Sequence, residues 1–289
     1  MITKAGFLKA FKYWKMFRDG LLCTVSLSAL TVIFGFVLAL ILAVMRLSNV
    51  TPLKSLGINA DGSTKEGFLG KLANFNPLSF IATCYVEVFR ATPMLVQLFL
   101  IYNVVFAPIK LPRFMLFGTI RFERFLPGVV ALAMNSGAYL SEIIRSGIQS
   151  IDGGQTEAAR SLGLSQGQNL KLIILPQAIK NILPAIANEF VTIIKESSVT
   201  YTIGVQDIMY AVASVKGSTF SIGEPLIIAT CIYFCLTFPT SKIIAHFERK
   251  MSAGDRRSGV DTKALEKKVA KLKKEMEFDR QRLANSKYK

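Results

Sequence analysis

Glu157-Ala158-Ala159, Gly163 and Ile173-Ile174-Leu175-Pro176 stand at fixed offsets, with three residues between Ala159 and Gly163 and nine between Gly163 and Ile173. The chemistry open to such a set is mechanical. Thr156 can cap a short helix that Gly163 ends, and Ser165 and Gln168 have capping-box spacing for a second helix that stops ahead of Pro176. Ala158 and Ala159 leave a smooth surface able to enter a groove, Gly163 lets the backbone turn tightly, and Glu157 can satisfy amides at the first helix start. A DNA-reading helix-turn-helix has a similar outline. This one carries only Arg160 and Lys171 between Glu157 and Pro176, too little to neutralise phosphates.

A second set consists of polar groups inside otherwise apolar runs: Glu87, Arg90 and Pro93; Asn135 and Glu142; Lys195, Ser197 and Ser198. Ionisable groups cost roughly 2.5–3.5 kcal/mol each at the centre of a bilayer, so these must face protein or water. Glu87 and Arg90, three apart, could form an ion pair on one helix face. Glu142 and Asn135 lie two turns apart on one face, and Lys195, Glu196 and the two serines interrupt the following apolar run, which also carries Glu189, where backbone groups could meet a zwitterion. An ammonium suits Glu142, and a carboxylate suits Lys195, Ser197 and Ser198. Helix capping and helix-to-helix hydrogen bonding would use the same residue types.

Hydrolytic and metal chemistry find little support. His246 is the one histidine, with no second to make a metal pair, and Cys23, Cys84, Cys231 and Cys235 all fall in apolar runs. Cys231 and Cys235 share a helix face at i,i+4 and read as small packing residues rather than a redox pair. No GxxxxGK[ST] phosphate loop occurs, so this chain does not itself cradle ATP in that way.

These groups need helices to hold them, and the composition supplies membrane helices. Of 289 residues 51% are apolar and 19% charged, and mean hydropathy is +0.41, which excludes disorder and an ordinary soluble domain. Five spans are predicted, at about 21–45, 78–106, 126–144, 182–204 and 226–247, with the helix-turn-helix in a loop at about 152–180. Thr31, Gly35, Ala39 and Ala43 form a small-residue stripe on the first span. Lys242, near the end of the fifth, can snorkel to the interface. Residues 1–20 read as a basic amphipathic segment on the bilayer surface with no evident cleavable signal, 21–248 as the transmembrane domain, and 249–289 as a basic tail.

Net charge is +16, and half of that excess lies from Arg249 onward, where 14 Lys/Arg face 6 Asp/Glu. In a soluble protein it would suit nucleic acid; beside membrane spans it suits anionic lipid. Placing the tail, 46–77 and 145–181 inside gives 22 Lys/Arg against 10 outside, so the N-terminus is expected outside and the C-terminus in the cytoplasm. Leu265, Val269, Leu272 and Met276 predict a short amphipathic helix in the tail, packed on lipid or on a partner.

The Glu-Ala-Ala, Gly and Ile-x-Leu-Pro spacing resembles the cytoplasmic coupling loop of the permease subunits of bacterial ABC importers. Tyr85–Pro93, Ala138–Gly147 and Leu183–Asn188 are similar to the branch that handles histidine, glutamine, glutamate, arginine and opines. The resemblance covers about 20–249, and the 48–76 loop and the tail are additions to the usual pattern. It implies an all-α, polytopic inner-membrane protein with the type I permease fold, in which Glu157, Ala158, Ala159, Gly163, Ile173, Leu175 and Pro176 couple to an ATPase. The implied partners are a cytoplasmic ATPase dimer that binds ATP and Mg, a second permease of the same or sister chain, a substrate-binding protein and the lipid bilayer. Nucleic acid is not among them, and the chain itself needs no cofactor and is no enzyme. The other class compatible with polar spans, a channel or secondary transporter working without an ATPase, leaves the coupling loop unexplained.

Overall fold

The computed structural model describes residues 2–48, 50–52 and 74–258, with side chains as far as Met251. Most of the 48–76 loop and the predicted tail helix through Leu265 and Met276 lie outside the described residues. The chain divides into two compact units, Met1–Ile244 and Ala245–Lys289, and the helices that matter to function lie in the first.

The N-terminal segment is not one surface helix. Helix α1 (Lys4–Phe11) is capped by Thr3 and ends at Lys12, and α2 begins at Trp14 and runs without interruption to Leu47. The basic stretch from Trp14 to Gly20 is thus the first two turns of the membrane helix. The small-residue stripe does what its spacing implies: Thr31, Gly35, Ala39 and Ala43 are all buried. At Gly35 a Cβ would stand 3.3 Å from the carbonyl oxygen of Ala133, so the backbones of α2 and of α5 (Phe122–Gln149) approach so closely that a side chain there would need a neighbour to give by a few tenths of an ångström.

The second span is broken. Helix α3 (Pro77–Ala91) and α4 (Met94–Leu100), which widens into a π-helical turn over Ile101–Val105, meet at 112° around Thr92-Pro93. Proline has no N–H to continue the helix and disfavours the α conformation in the residue before it, and Thr92 is extended. After the break the chain makes a small antiparallel hairpin, β1 (Met115–Leu116) with β2 (Ile120–Arg121), whose turn holds Phe117 and Gly118 at positive φ. The sequence carries no alternating pattern there and gave no sign of it.

Helix α5 has 28 residues, about 42 Å at 1.5 Å per residue, and packs on α2, α3 and α4. It is the most deeply surrounded of the long helices, so it needs no lipid-facing stripe and can hold Asn135, Ser136 and Ser141 buried. Among the described residues three helices are long and apolar enough to cross a membrane unaided: Trp14–Leu47, Gln166–Ile203 and Gly223–Met251. Within the second of these, α7 (Gln166–Asn169), a π turn (Leu170–Ile174), α8 (Leu175–Glu196) and a 3-10 segment (Ser197–Ile203) are continuous. Helices α6 (Gly153–Ser161), α9 (Ile208–Thr219) and α10 (Gly223–Ser258) complete the described chain. Lys242 on α10 lays its ammonium over the Phe238 ring at 5.3 Å.

Candidate functional site: a projecting helical hairpin and polar groups among the spans

The α6–α7 hairpin is built on local rules, though not all of those expected. Asp152, not Thr156, caps α6, accepting from the Gly154 amide at 2.9 Å. Glu157 therefore lies in the middle of α6 rather than at its start. Thr156 instead accepts from the Asn169 side chain at 3.2 Å, joining the two helices. Gly163 holds φ at +80° while the Leu164 amide reaches the Ala159 carbonyl and the Gly163 amide that of Arg160, both in hydrogen-bond range at 3.1 and 2.9 Å. This is a Schellman end, and the glycine sits at its left-handed position. Ser165 and Gln168 form the reciprocal capping box at 3.3 and 2.9 Å.

The second helix does not stop before Pro176. A π turn takes up the register ahead of it, the Leu175 amide reaching the Leu170 carbonyl, and Pro176 then occupies the first turn of α8, where a missing N–H costs nothing. Hairpin and span are consequently one continuous rod. At the hairpin base the Asn181 side chain donates to Ser150 Oγ at 3.0 Å. Ala159 is buried against the hairpin's own second arm, whereas Leu162 is 81% exposed and Leu172 60%. An exposed leucine on a tight turn is what a docking knob presents. The residue-type pattern pointed to the alanines and passed over Leu162.

Among the spans the structure brings together different partners from those expected. Glu142 is held by two arginines: Arg46 Nη1 on α2 at 2.7 Å, and Arg145 one turn along its own helix. Asn135 turns the other way. Its side chain donates at 2.8 Å to Gln97 Oε1, and Gln97 Nε2 donates to the Phe89 carbonyl at 2.7 Å and the Thr92 carbonyl at 2.9 Å. The carbonyls freed at the Pro93 break are thereby satisfied by a two-residue staple from the helices beside it.

Glu87 and Arg90 do not pair. Among the described residues the ion pairs are Arg18–Asp19, Arg46–Glu142 and Arg145–Glu142, and Arg90 lies over the Tyr139 ring at 5.7 Å. Lys195 is exposed, and Ser197 is fully buried with its hydroxyl donating to the Ile194 carbonyl at 2.7 Å. The helix does not break at Lys195–Ser198 but tightens into the 3-10 segment, so its carbonyls stay bonded. Glu196, which interrupts the same run as Lys195, and Glu189, which carried no assigned role, are half-buried, two turns apart on α8 and within electrostatic reach of each other; Glu189 also lies beside Ser136 of α5. Their i,i+7 spacing was the available signal.

The model for the binding-protein-dependent transport system inner membrane component matches residues 67–253. The arginine transport system permease protein ArtQ of Bacillus subtilis is 43% identical over 187 residues, 65% of this chain and 81% of that protein. The putative glutamine transport system permease protein GlnP of Rickettsia typhi is 37% identical over 233 residues, 81% of this chain and 91% of the relative. A crystal structure of an amino acid ABC transporter with histidines superposes with a TM-score of 0.70 at 38% identity, covering 86% of this chain and all of that one.

Proposed function

The chain belongs to the family of binding-protein-dependent transport system inner membrane components, and from that premise we propose that it is the permease subunit of an ATP-driven importer for a polar amino acid. It is a transport subunit rather than an enzyme. ATP and Mg belong to a cytoplasmic ATPase dimer, a second permease of the same or sister chain completes the pathway, and a binding protein delivers substrate. The N-terminus lies outside and the C-terminus in the cytoplasm.

The observation that carries this reading is the α6–α7 hairpin: a projecting helical turn with Leu162 bare at its tip and no break between its second arm and α8. A push on the hairpin is transmitted along a packed rod into the membrane, the element that alternating access requires. Glu157, Ala158, Ala159, Gly163, Ile173, Leu175 and Pro176 shape the docking element, and Leu162 is its contact point. Along the pathway, Glu189 and Glu196 are the carboxylates for an ammonium or guanidinium, since Glu142 is occupied by two arginines. Lys195, exposed beside Glu196, is the cation for the substrate carboxylate.

The test is co-purification. Leu162→Asp and Gly163→Asp should leave the permease in the membrane at normal levels, yet lose the ATPase and abolish ATP-driven uptake. Gly163→Asn, which tolerates the left-handed conformation, should retain both. Normal uptake by both aspartate variants would remove the hairpin from coupling.

A further inference from the structure

An apolar groove of about 540 Å³ opens between α1, the start of α2 and α10. Phe7 and Phe11 of α1 and Trp14 of α2 form one wall, with the Phe11 and Trp14 rings stacked at 6.2 Å. The other wall is the face of α10 from Ile227 to Leu236, including Cys231 and Cys235, both exposed free thiols rather than packed residues. Thr3, just ahead of α1, donates its amide to Glu224 Oε1 at 3.0 Å and so ties α1 to the start of α10. Ten residues of α10, nine rises of 1.5 Å, give the groove a length of about 13 Å, the shape of an extended chain rather than of a compact ligand.

The rim is basic. Lys4, Lys9, Lys12, Lys15 and Arg18 are all exposed, and Arg18 stands between Trp14 and Leu21, both groove residues, on the same face of α2. Asp19 answers Arg18 at 2.9 Å, whereas no ion pair forms at the four lysines among the described residues. From this we propose that the groove holds an acyl chain of an anionic phospholipid, with the phosphate on the lysines of α1 and the α1–α2 turn. The inference needs only that the chain is a membrane protein, not the identity of the substrate. Charge argues against a second copy as occupant, because a two-fold contact through this rim would set lysines against lysines.

Trp14 is the single tryptophan of the chain and lies in the groove wall, so it can report the occupant directly. The assembled transporter is placed in nanodiscs of phosphatidylcholine containing a rising fraction of brominated phosphatidylglycerol or, separately, brominated phosphatidylcholine. Subtracting the signal of the Trp14→Phe complex isolates Trp14. Half-maximal quenching should need an at least about fivefold lower fraction of phosphatidylglycerol, the factor one basic residue contributes at a lipid surface. The Lys9→Gln/Lys12→Gln/Lys15→Gln variant should bring the two curves together while quenching persists. In detergent, added phosphatidylglycerol should slow alkylation of Cys231 and Cys235, read against the double serine variant, and phosphatidylcholine should not. Coincident curves in the unaltered protein, absence of quenching by both lipids, or cross-linking of Cys231 between two copies by a short bifunctional maleimide would each overturn the proposal.

Discussion

Arg46 on α2 and Glu142 on α5 meet at 2.7 Å across 96 residues of sequence, with side-chain exposures of only 12% and 22%. The pair ties the end of the first span to the end of the third, and Arg145 approaches the same carboxylate from its own helix. A group so engaged is a clamp, since releasing it to a substrate would leave two guanidiniums short of a partner.

Glu142→Gln should therefore destabilise the permease instead of selectively slowing transport. A hydrogen bond to a charged group contributes about 1.5–3 kcal/mol, and here two are weakened together. We expect a lower thermal midpoint in detergent, less protein in the membrane, and ATP hydrolysis and uptake falling in parallel. Uptake reduced with stability and ATP hydrolysis intact would return Glu142 to the pathway.

At the Pro93 break, Gln97→Leu should strand the Thr92 carbonyl and leave the Phe89 carbonyl only the long 3.5 Å contact from Asn135, at a cost of about 1–3 kcal/mol for each unsatisfied group. Asn135→Leu should be milder, and the double variant less destabilised than the sum, because the second substitution removes a partner already lost. Thermal unfolding of the three proteins measures this. Additivity would mean that the two amides do not act as one staple.

The contrast between these staples and the α6–α7 hairpin shows what the sequence could carry. The Gly163 end and the Ser165–Gln168 box were legible because each closes within six residues, and the α2 stripe because its period is that of a helix. Asn135 and Glu142 do share a face, as the spacing says. Their partners lie 38 and 96 residues away, and no periodicity reports such distances, so two residues of one stripe separate into a staple and a clamp. Thr156 lost the cap to Asp152 because both are good cap residues and the choice rests on where the preceding helix ends. Leu162 was missed because a leucine in a loop becomes informative only once its exposure is known.

Asp207 sets a pH dependence. It caps α9, accepting from the Tyr210 amide at 2.7 Å, and only 1% of it is exposed. Burial is the dominant cause that raises its pKa to about 8, against the backbone donors that lower it. The unfolded chain would release this proton near the ordinary aspartate value of about 3.9. Between those values the folded state binds the extra proton, so stability declines as pH rises and the full cost is present above about pH 8. Cys23 and Tyr233 are the neighbouring titratable groups within electrostatic reach. Asp207→Asn keeps the cap and should flatten thermal stability between pH 6 and 9, with its gain over the unaltered protein largest at pH 9. An unchanged slope would show that another group titrates.

The pathway itself gives the last test. A zwitterion leaving water must exchange its hydration for fixed partners, and a carboxylate already in an ion pair cannot serve without breaking that pair. Glu189 and Glu196 are absent from the ion pairs among the described residues and lie half-buried two turns apart on α8. That helix is continuous with the α6–α7 hairpin, so its movement would carry both carboxylates with it. Truncating one partner of a desolvated charge contact costs about 2–5 kcal/mol, so Glu189→Gln and Glu196→Gln should each lower uptake by at least about tenfold. Lys195→Met should also lower it if the substrate carboxylate uses that ammonium. Because none of the three changes touches the hairpin, the ATPase should co-purify and ATP hydrolysis by the assembled complex should persist. Ser197→Ala serves as the control: its hydroxyl is spent on the Ile194 carbonyl, so uptake should stay within about twofold of normal, the effect of a loss near 0.5 kcal/mol. Full uptake in both glutamate variants would take the carboxylates out of the pathway, and loss of the complex in both would make them part of the packing between α5 and α8.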